Sequence, residues 1–259
     1  MTVRRFLFLK VVTFNLKGTV KLISILSRLA ALITVIALVF YFSSFAFKGA
    51  DFHVQALNEL TDDKIVIIDA GHGGEDCGAI GIDGRYEKDL NFEISCLLGE
   101  MLSEKGYSVV YTRTTDKLLY SEEENIKGLR KFYDLKNRCK IAKEYENSLF
   151  ISIHMNSFAE SKYSGLQVYF SKNNSESEKL ANLIQKNVRE KCQNENERQI
   201  KPGSDMYVLK NVENPAVLIE CGFISNPEEC AKLSQKEYQK ELCFSIICGI
   251  IEYKSNTVS

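Results

Sequence analysis

Apolar and polar positions alternate in two different ways along the chain from residue 64 onward. Consecutive apolar residues predict buried strands, whereas apolar residues spaced three and four apart predict helices. The predicted strands are 64–69, 107–112, 149–153, 166–170, 206–209 and 216–219. The predicted helices are 87–105, 135–145, 177–192 and a closing helix marked by Tyr238, Leu242, Ile246 and Ile250.

The order of these elements predicts a single α/β domain. Strands that are apolar at consecutive positions need cover on both faces, so we expect a mostly parallel, twisted sheet flanked by helices on both faces. With 259 residues and 45% hydrophobic content, the chain can bury one substantial core. Ligands of such sheets bind beyond the carboxyl ends of the strands.

The polar stretch 117–134 interrupts this alternation. It contains the acidic run Ser121-Glu122-Glu123-Glu124 and then three basic residues, Lys127, Arg130 and Lys131. We expect a surface insertion here. Its charges fit either a solvated segment with one helix or a lid or docking surface.

An uncharged stretch, 29–47, precedes the predicted domain. As a helix it would span roughly 28 Å, enough for the hydrocarbon core of a bilayer. Six basic and no acidic residues lie in 1–28, so the positive-inside rule places this lead in the cytoplasm and the rest of the chain outside. We therefore expect an N-terminal transmembrane helix, with 48–63 as a linker to the domain.

A cleavable signal peptide is the alternative interpretation of the same stretch, and it would give a secreted protein. Ser44-Phe45-Ala46 offers small residues at the right offsets for cleavage. Signal peptides, however, usually have an apolar region of about 7 to 15 residues, shorter than 29–47.

Charge and cysteine content exclude some classes of function. Without the basic lead, 27 Lys and Arg stand against 34 Asp and Glu, a net charge of −7 that is unfavourable for binding nucleic acid. The eight cysteines include no Cys-x-x-Cys pair, so neither a zinc knuckle nor a thioredoxin-like motif is present. Cys96, Cys243 and Cys248 lie in helical patterns and are expected to be buried thiols.

Two of the three histidines lie at equivalent places in the predicted sheet. His72 follows the strand 64–69 within a glycine-rich turn, and His154 follows the strand 149–153. Because carboxyl ends of parallel strands meet at one edge of a sheet, we expect both imidazoles at that edge.

Two glutamates are expected to join them. Glu87 begins the first helix after the turn, so its carboxylate can point back to the same edge, and Glu220 follows the strand 216–219. Two imidazoles and one carboxylate make a zinc site with an open position for water. A further unligated glutamate suits a general base, and Asp69 is a candidate acceptor that would orient one imidazole.

The same residues allow other interpretations. A phosphate-binding loop built on Gly71-x-Gly73 would need glycine or alanine where Asp76 stands, and no Gly-Lys-Ser/Thr follows. Taken singly, a histidine at a strand end is often structural, and a glutamate at a helix start often complements the helix dipole. The convergence of four such residues on one edge favours a hydrolytic metal site.

Four segments of the chain resemble the zinc-dependent N-acetylmuramoyl-L-alanine amidases of the type-3 family. They are "IVIIDAGHGGEDCGAIGIDGRYEKDLNF", "GYSVVYTRTTD", "LFISIHMNS" and "PAVLIECGFISNPEE", which together cover 64 to about 253 in the family's order. The resemblance implies one zinc ion per chain bound by His72, Glu87 and His154, with Glu220 as the catalytic glutamate.

The resemblance also implies a substrate. This is peptidoglycan, cut at the amide between N-acetylmuramic acid and the first L-alanine of the stem peptide by a zinc amidase domain spanning 64–259. Asp69, Asn156 and Lys201 are candidates for positions beside the ligands or the substrate. The alternatives are a zinc peptidase or deacetylase acting on the same polymer, or a membrane-tethered cell-wall binding or activator protein without activity.

Some features depart from the family's pattern. Ala70 stands where the family commonly has proline, and Ser157 where it commonly has alanine. The insertion at 117–134 is longer than usual and lies where some members carry regulatory elements, so we expect access to the site to depend on an activating protein partner. A single anchor without cell-wall-binding repeats resembles the sporulation amidases, which prepare spore cortex for germination by allowing muramic lactam to form in the space around the forespore.

Overall fold

The computed structural model describes residues 64–257. The basic lead 1–28, the predicted span 29–47 and the linker 48–63 lie outside the described residues. Within 64–257, no helix has the combination of length and apolar character that crossing a bilayer requires.

The described part of the chain contains six strands and six helices. The strands are β1 (Ile65–Ala70), β2 (Ser108–Tyr111), β3 (Leu149–Asn156), β4 (Gln167–Phe170), β5 (Lys201–Pro202) and β6 (Ala216–Phe223). The helices are α1 (Glu87–Glu104), α2 (Arg130–Lys143), α3 (Glu176–Lys191), α4 (Tyr207–Asn211), α5 (Pro227–Leu233) and α6 (Lys236–Thr257).

The described strands form one sheet in the order β2-β1-β3-β6-β4-β5. Neighbouring strands are parallel except β4 and β6, which are antiparallel, so the sheet is mixed. Because β1, β3 and β6 are parallel neighbours, their carboxyl ends meet at one edge. His154 on β3 and Glu220 on β6 are partners in the strand register.

Two apolar clusters cover the two faces of the sheet. Alternate residues of a strand point to opposite faces, so Ile151 packs with α1, α3 and α6 whereas its neighbour Phe150 packs with α2 and α4. The α/β architecture with helices on both faces is therefore confirmed. His154 and Glu220 have the parity of Phe150 and Leu218, which places them on the face covered by α2 and α4.

The predicted strand 206–209 is wrong. Met206 precedes α4, and the amide of Lys210 donates to the Met206 carbonyl at 3.0 Å as in a helix. A run of four apolar residues fits a short buried helix as well as a strand, and α4 buries Val208 and Leu209 together. The position beside β4 is taken instead by β5, which is too short to show a pattern.

The insertion is partly helical and is tied to the fold. Helix α2 begins at Arg130, not at Leu135 as predicted, so the last residues of 117–134 belong to it. The amide of Leu119 donates to Asp134 Oδ1 at 2.8 Å, and Asn137 Nδ2 donates to the Leu119 carbonyl at 2.8 Å. These bonds hold the segment before α2 against the helix.

Candidate metal centre

The turn after β1 has a backbone that few residues adopt. Among the described residues, His72 is the only non-glycine residue with a positive φ, at 61°. At Gly71, a Cβ would come within 2.3 Å of the His154 ring. The turn therefore needs glycine at 71 so that the two imidazoles can approach each other.

Three donor side chains converge beside this turn. Glu87 Oε1 lies 2.9 Å from His154 Nδ1 and 3.2 Å from His72 Nε2. Within the described residues, His72, Glu87 and His154 form the one group of metal-binding type whose ligand atoms all lie within 4.8 Å of one another. Glu87 is held in place by the amides of Ala79 and Met155, at 2.9 and 3.2 Å. Two imidazoles and one carboxylate are a donor set that suits Zn²⁺.

The side chains of the cluster lie close enough to shift one another's pKa. Burial opposes the charged imidazole, but the hydrogen bonds with Asp76 and Glu87 raise the pKa of His72 to about 9. Burial likewise opposes the charged carboxylate, but hydrogen bonds with His154 and His72 hold the pKa of Glu87 well below its usual range. A metal ion needs the neutral imidazole, so metal uptake at this cluster is expected to release a proton.

Asp76 orients the first imidazole. Its Oδ2 lies 2.8 Å from His72 Nδ1 and 2.9 Å from Lys131 Nζ, so the other ring nitrogen of His72 faces Glu87. A carboxylate behind a ligating imidazole fixes the orientation of the ring and its tautomer. Asp76 is not among the site residues predicted from the sequence, where its only signal is its spacing of four residues from His72.

Replacing Asp76 by alanine is expected to weaken metal binding about 10–100-fold, because His72 loses the partner that orients its ring. Isothermal titration of the metal-free protein with Zn²⁺ measures this. The control is Asp83→Ala, which removes a carboxylate on the same loop that pairs with Arg85. Equal affinities in both variants would show that Asp76 does not position the ligand.

Gly71→Ala is expected to weaken metal binding strongly, because the new methyl group occupies the space of the His154 ring. The control is Gly84→Ala. Gly84 has a φ of 85°, but a Cβ there meets nothing within 4 Å, so this variant carries backbone strain without displacing a ligand. Zinc titration should separate the two variants, and tight binding by Gly71→Ala would contradict the steric argument.

Glu220 lies on β6 opposite His154. The two residues share a cavity of about 240 Å³, which His72 also lines and α2 and α4 cover. Glu220 Oε2 is buried and has no hydrogen-bond partner among the described atoms. Buried polar atoms nearly always have partners, so this oxygen fits a site in which a metal ion and its water are held by the neighbouring cluster.

Burial raises the pKa of Glu220 to about 7. A carboxyl group whose pKa is higher in the folded protein stabilises the fold below its ordinary pKa near 4.5, and this stabilisation is lost as pH rises through 7. Metal-free wild type is therefore expected to lose on the order of 3 kcal/mol more than Glu220→Gln between pH 4 and pH 8. Urea unfolding of both proteins across this range measures the difference, and parallel curves would refute it.

Asp69 has partners other than the one expected for it. Its buried carboxylate accepts hydrogen bonds from Arg138 Nη1, Thr112 Oγ1 and Ser152 Oγ at 2.6 to 2.7 Å, and none of its described contacts is with an imidazole. Burial opposes the charge of Asp69, but Arg138 and the hydroxyls lower its pKa. Asp69 therefore anchors the buried Arg138, which is not among the site residues predicted from the sequence either.

The two remaining candidates, Asn156 and Lys201, lie on different strands of the sheet. Asn156 ends β3 on the same face as His154, and its backbone carbonyl accepts from the amide of Ile224 at 2.9 Å. Lys201 is exposed in the edge strand β5, which pairs with β4, and it does not line the cavity of Glu220. The described contacts give neither side chain a part in the cluster.

The fold and the cluster together define an α/β protein with the residues of a metal-dependent hydrolase: two imidazoles, one carboxylate and a second carboxylate nearby. Residues 66–252 match the family model of N-acetylmuramoyl-L-alanine amidases. The chain belongs to this family, as the resemblance of its motifs indicated.

Individual relatives agree with this membership. The germination-specific N-acetylmuramoyl-L-alanine amidase of Bacillus subtilis is 38% identical over 191 residues, which cover 73% of this chain and 79% of that protein. The structure of the CwlD amidase from Clostridioides difficile, in complex with the GerS lipoprotein, superposes with a TM-score of 0.71 at 40% identity and covers 74% of this chain and 98% of that one. The catalytic domain of CwlV from Bacillus (Paenibacillus) polymyxa gives 0.61 at 32% identity, covering 73% and 97%.

Proposed function

We propose that this protein hydrolyses peptidoglycan at the amide between N-acetylmuramic acid and the first L-alanine of the stem peptide. In this proposal one zinc ion is held by His72, Glu87 and His154. The observation that carries it is the convergence of these three donors beside the unpartnered Glu220 Oε2. The membership of the chain in the amidase family supports the choice of bond.

Each residue has a role that follows from its position. A bound zinc ion would supply Lewis-acid chemistry, lowering the pKa of a water molecule and polarising the amide carbonyl. Glu220 Oε2 would accept the proton of that water and transfer it to the amide nitrogen that leaves. Burial raises the pKa of Glu220, and a raised pKa makes a carboxylate a stronger base toward a water molecule that a metal ion has acidified. Asp76 would keep His72 oriented throughout.

Mass spectrometry of digested muropeptides tests the bond. Purified peptidoglycan treated with the protein should yield glycan with free lactyl carboxylates and intact stem peptides that begin with L-alanine. Cut stem peptides would favour a peptidase, and loss of acetyl groups would favour a deacetylase. Unchanged muropeptides in the presence of zinc would favour a binding or activator protein.

We propose a role in modification of the spore cortex. The support is the germination-specific name of the relative from Bacillus subtilis, which is 38% identical to this chain. The removal of stem peptides would leave muramic acid free to form the lactam. Spores from a strain lacking the gene should contain cortex without muramic lactam, and a normal lactam content would contradict this role.

We also propose that a protein partner activates the enzyme. The Clostridioides difficile amidase was solved with a lipoprotein bound, and the insertion of this chain exposes Ile126, Leu129 and Phe132. The purified protein, loaded with zinc, is expected to cleave peptidoglycan slowly and to speed up when the corresponding lipoprotein of its own organism is added. A full rate without any partner would contradict activation.

We propose that the catalytic domain lies outside the cytoplasm, anchored by 29–47. The support is the uncharged stretch itself and the basic lead before it. Cell fractionation should place the full-length chain with membranes, and protease added to protoplasts should remove the domain. A shortened, secreted chain would favour the signal-peptide alternative.

A further inference from the structure

Arg138 is a buried arginine that lines the cavity shared by His72 and Glu220, with 1% of its side chain exposed. It donates hydrogen bonds from Nη1 to Asp69 Oδ1 at 2.6 Å and from Nε to Asp134 Oδ2 at 2.8 Å. It also donates to two backbone carbonyls of the turn, Ala70 from Nη1 and His72 from Nη2, both at 2.7 Å. The guanidinium thus joins helix α2 to the turn that carries the first ligand.

The two carboxylates explain how the charge of Arg138 is tolerated, but not why its other donors point at the turn. A buried cation needs opposite charge and hydrogen bonds, which Asp69 and Asp134 supply. The bond to the His72 carbonyl is additional, and it requires the planar fork of a guanidinium, which presents donors in several directions at once. A lysine could pair with one carboxylate but could not also reach this set of acceptors.

The conformation of His72 shows what this additional bond does. A left-handed backbone is sparsely populated by non-glycine residues and persists where the surroundings fix it. The neighbouring carbonyls of Ala70 and Gly71 accept from a second buried arginine, Arg113, at 2.9 and 3.2 Å. Among the described contacts, the His72 carbonyl accepts from Arg138 alone.

We infer that Arg138 is a positioning residue for the metal site. Its guanidinium holds the His72 carbonyl and so keeps the backbone in the conformation that directs the imidazole toward Glu87 and His154. Asp76 orients the ring from one side, and Arg138 fixes the backbone that carries it. This inference rests on the proposed role of His72 as a metal ligand.

The test is zinc affinity and the visible spectrum of the Co²⁺-loaded full-length protein, compared between wild type and Arg138→Lys. We expect zinc binding to weaken about 10–100-fold, and the Co²⁺ bands to change because the ligand geometry changes. The control is Ile246→Ala, which opens a cavity in the apolar core on the opposite face of the sheet. It should lower the unfolding temperature and leave both metal readouts at wild-type values.

A double-mutant comparison separates positioning from a general loss of structure. The Arg138→Lys effect on affinity should disappear in a His72→Ala background and persist in a His154→Ala background. If Arg138→Lys does not fold, Arg138→Met combined with Asp69→Asn and Asp134→Asn removes the buried charge together with both of its carboxylate partners, and the same weakening is expected.

The outcomes distinguish this inference from the proposed function. Zinc binding by Arg138→Lys equal to that of wild type, or an equal loss in Ile246→Ala, would overturn the positioning role while leaving the zinc site intact. An effect of Arg138→Lys that is the same in the His72→Ala and wild-type backgrounds would also overturn it. Failure of the wild-type protein to bind zinc would overturn both.

Discussion

Replacing Glu220 by glutamine is expected to abolish amide cleavage while zinc content stays at about one ion per chain. Glutamine keeps the size of the side chain but cannot accept a proton from water, and general base catalysis contributes about 10²–10⁴-fold to a rate. Because the proposed ligands are His72, Glu87 and His154, the affinity for the metal should survive the change at Glu220. The release of stem peptides from purified peptidoglycan and the metal content of the protein measure the two halves of the prediction.

The control for this experiment is Glu213→Gln, which changes an exposed glutamate just before β6. It should cleave at the wild-type rate. If Glu220→Gln cleaves as fast as this control, the assignment of Glu220 as the base is wrong. If Glu220→Gln instead loses its zinc, the carboxylate acts as a ligand, and Glu220 must be added to the proposed ligand set.

Removal of the metal is expected to stop cleavage and to lower the stability of the folded protein. A ligand that binds only the folded protein stabilises it by about 4 kcal/mol at 1,000 times its dissociation constant. A chelator should therefore stop cleavage and lower the unfolding temperature, and added zinc should restore both. Calorimetry and the cleavage assay, run before and after zinc is returned, measure this.

Two histidine variants test whether the zinc acts at the proposed cluster. His154→Ala should not recover when zinc is returned, because the site has lost a donor. His53→Ala removes the third histidine of the chain and should recover like wild type. Recovery of both variants would show that the zinc acts elsewhere in the chain.

The sequence was sufficient to predict the elements that bring the four central residues together. Buried strands such as β1, β3 and β6 leave long apolar runs, and the residues at their carboxyl ends share an edge because the strands are parallel. The pattern alone therefore predicts that His72, His154 and Glu220 lie at the same edge of the sheet. Their strands continue further than predicted, since His154 and Glu220 lie within β3 and β6 and not after them.

The groups that support the cluster could not be predicted in the same way. Arg138 meets His72 across 66 positions of sequence, and Lys131 reaches Asp76 from the same helix, α2. Such contacts depend on the packing of α2 against the turn, which no local spacing encodes. Similarly, the apolar pattern at 206–209 fits both a strand and a short helix. The elements that pack beside this segment decide between the two, and they are not encoded in its spacing.

The pairing of His154 with Glu220 across neighbouring strands has a consequence for how this enzyme can diversify. The backbone separation between Glu220, the proposed base, and His154, a proposed ligand, is set by the ladder of backbone hydrogen bonds between β3 and β6, not by any connecting loop. Loops around the cavity can therefore lengthen, shorten or change their side chains, and so alter which glycan strands are admitted, without disturbing the distance on which the chemistry depends.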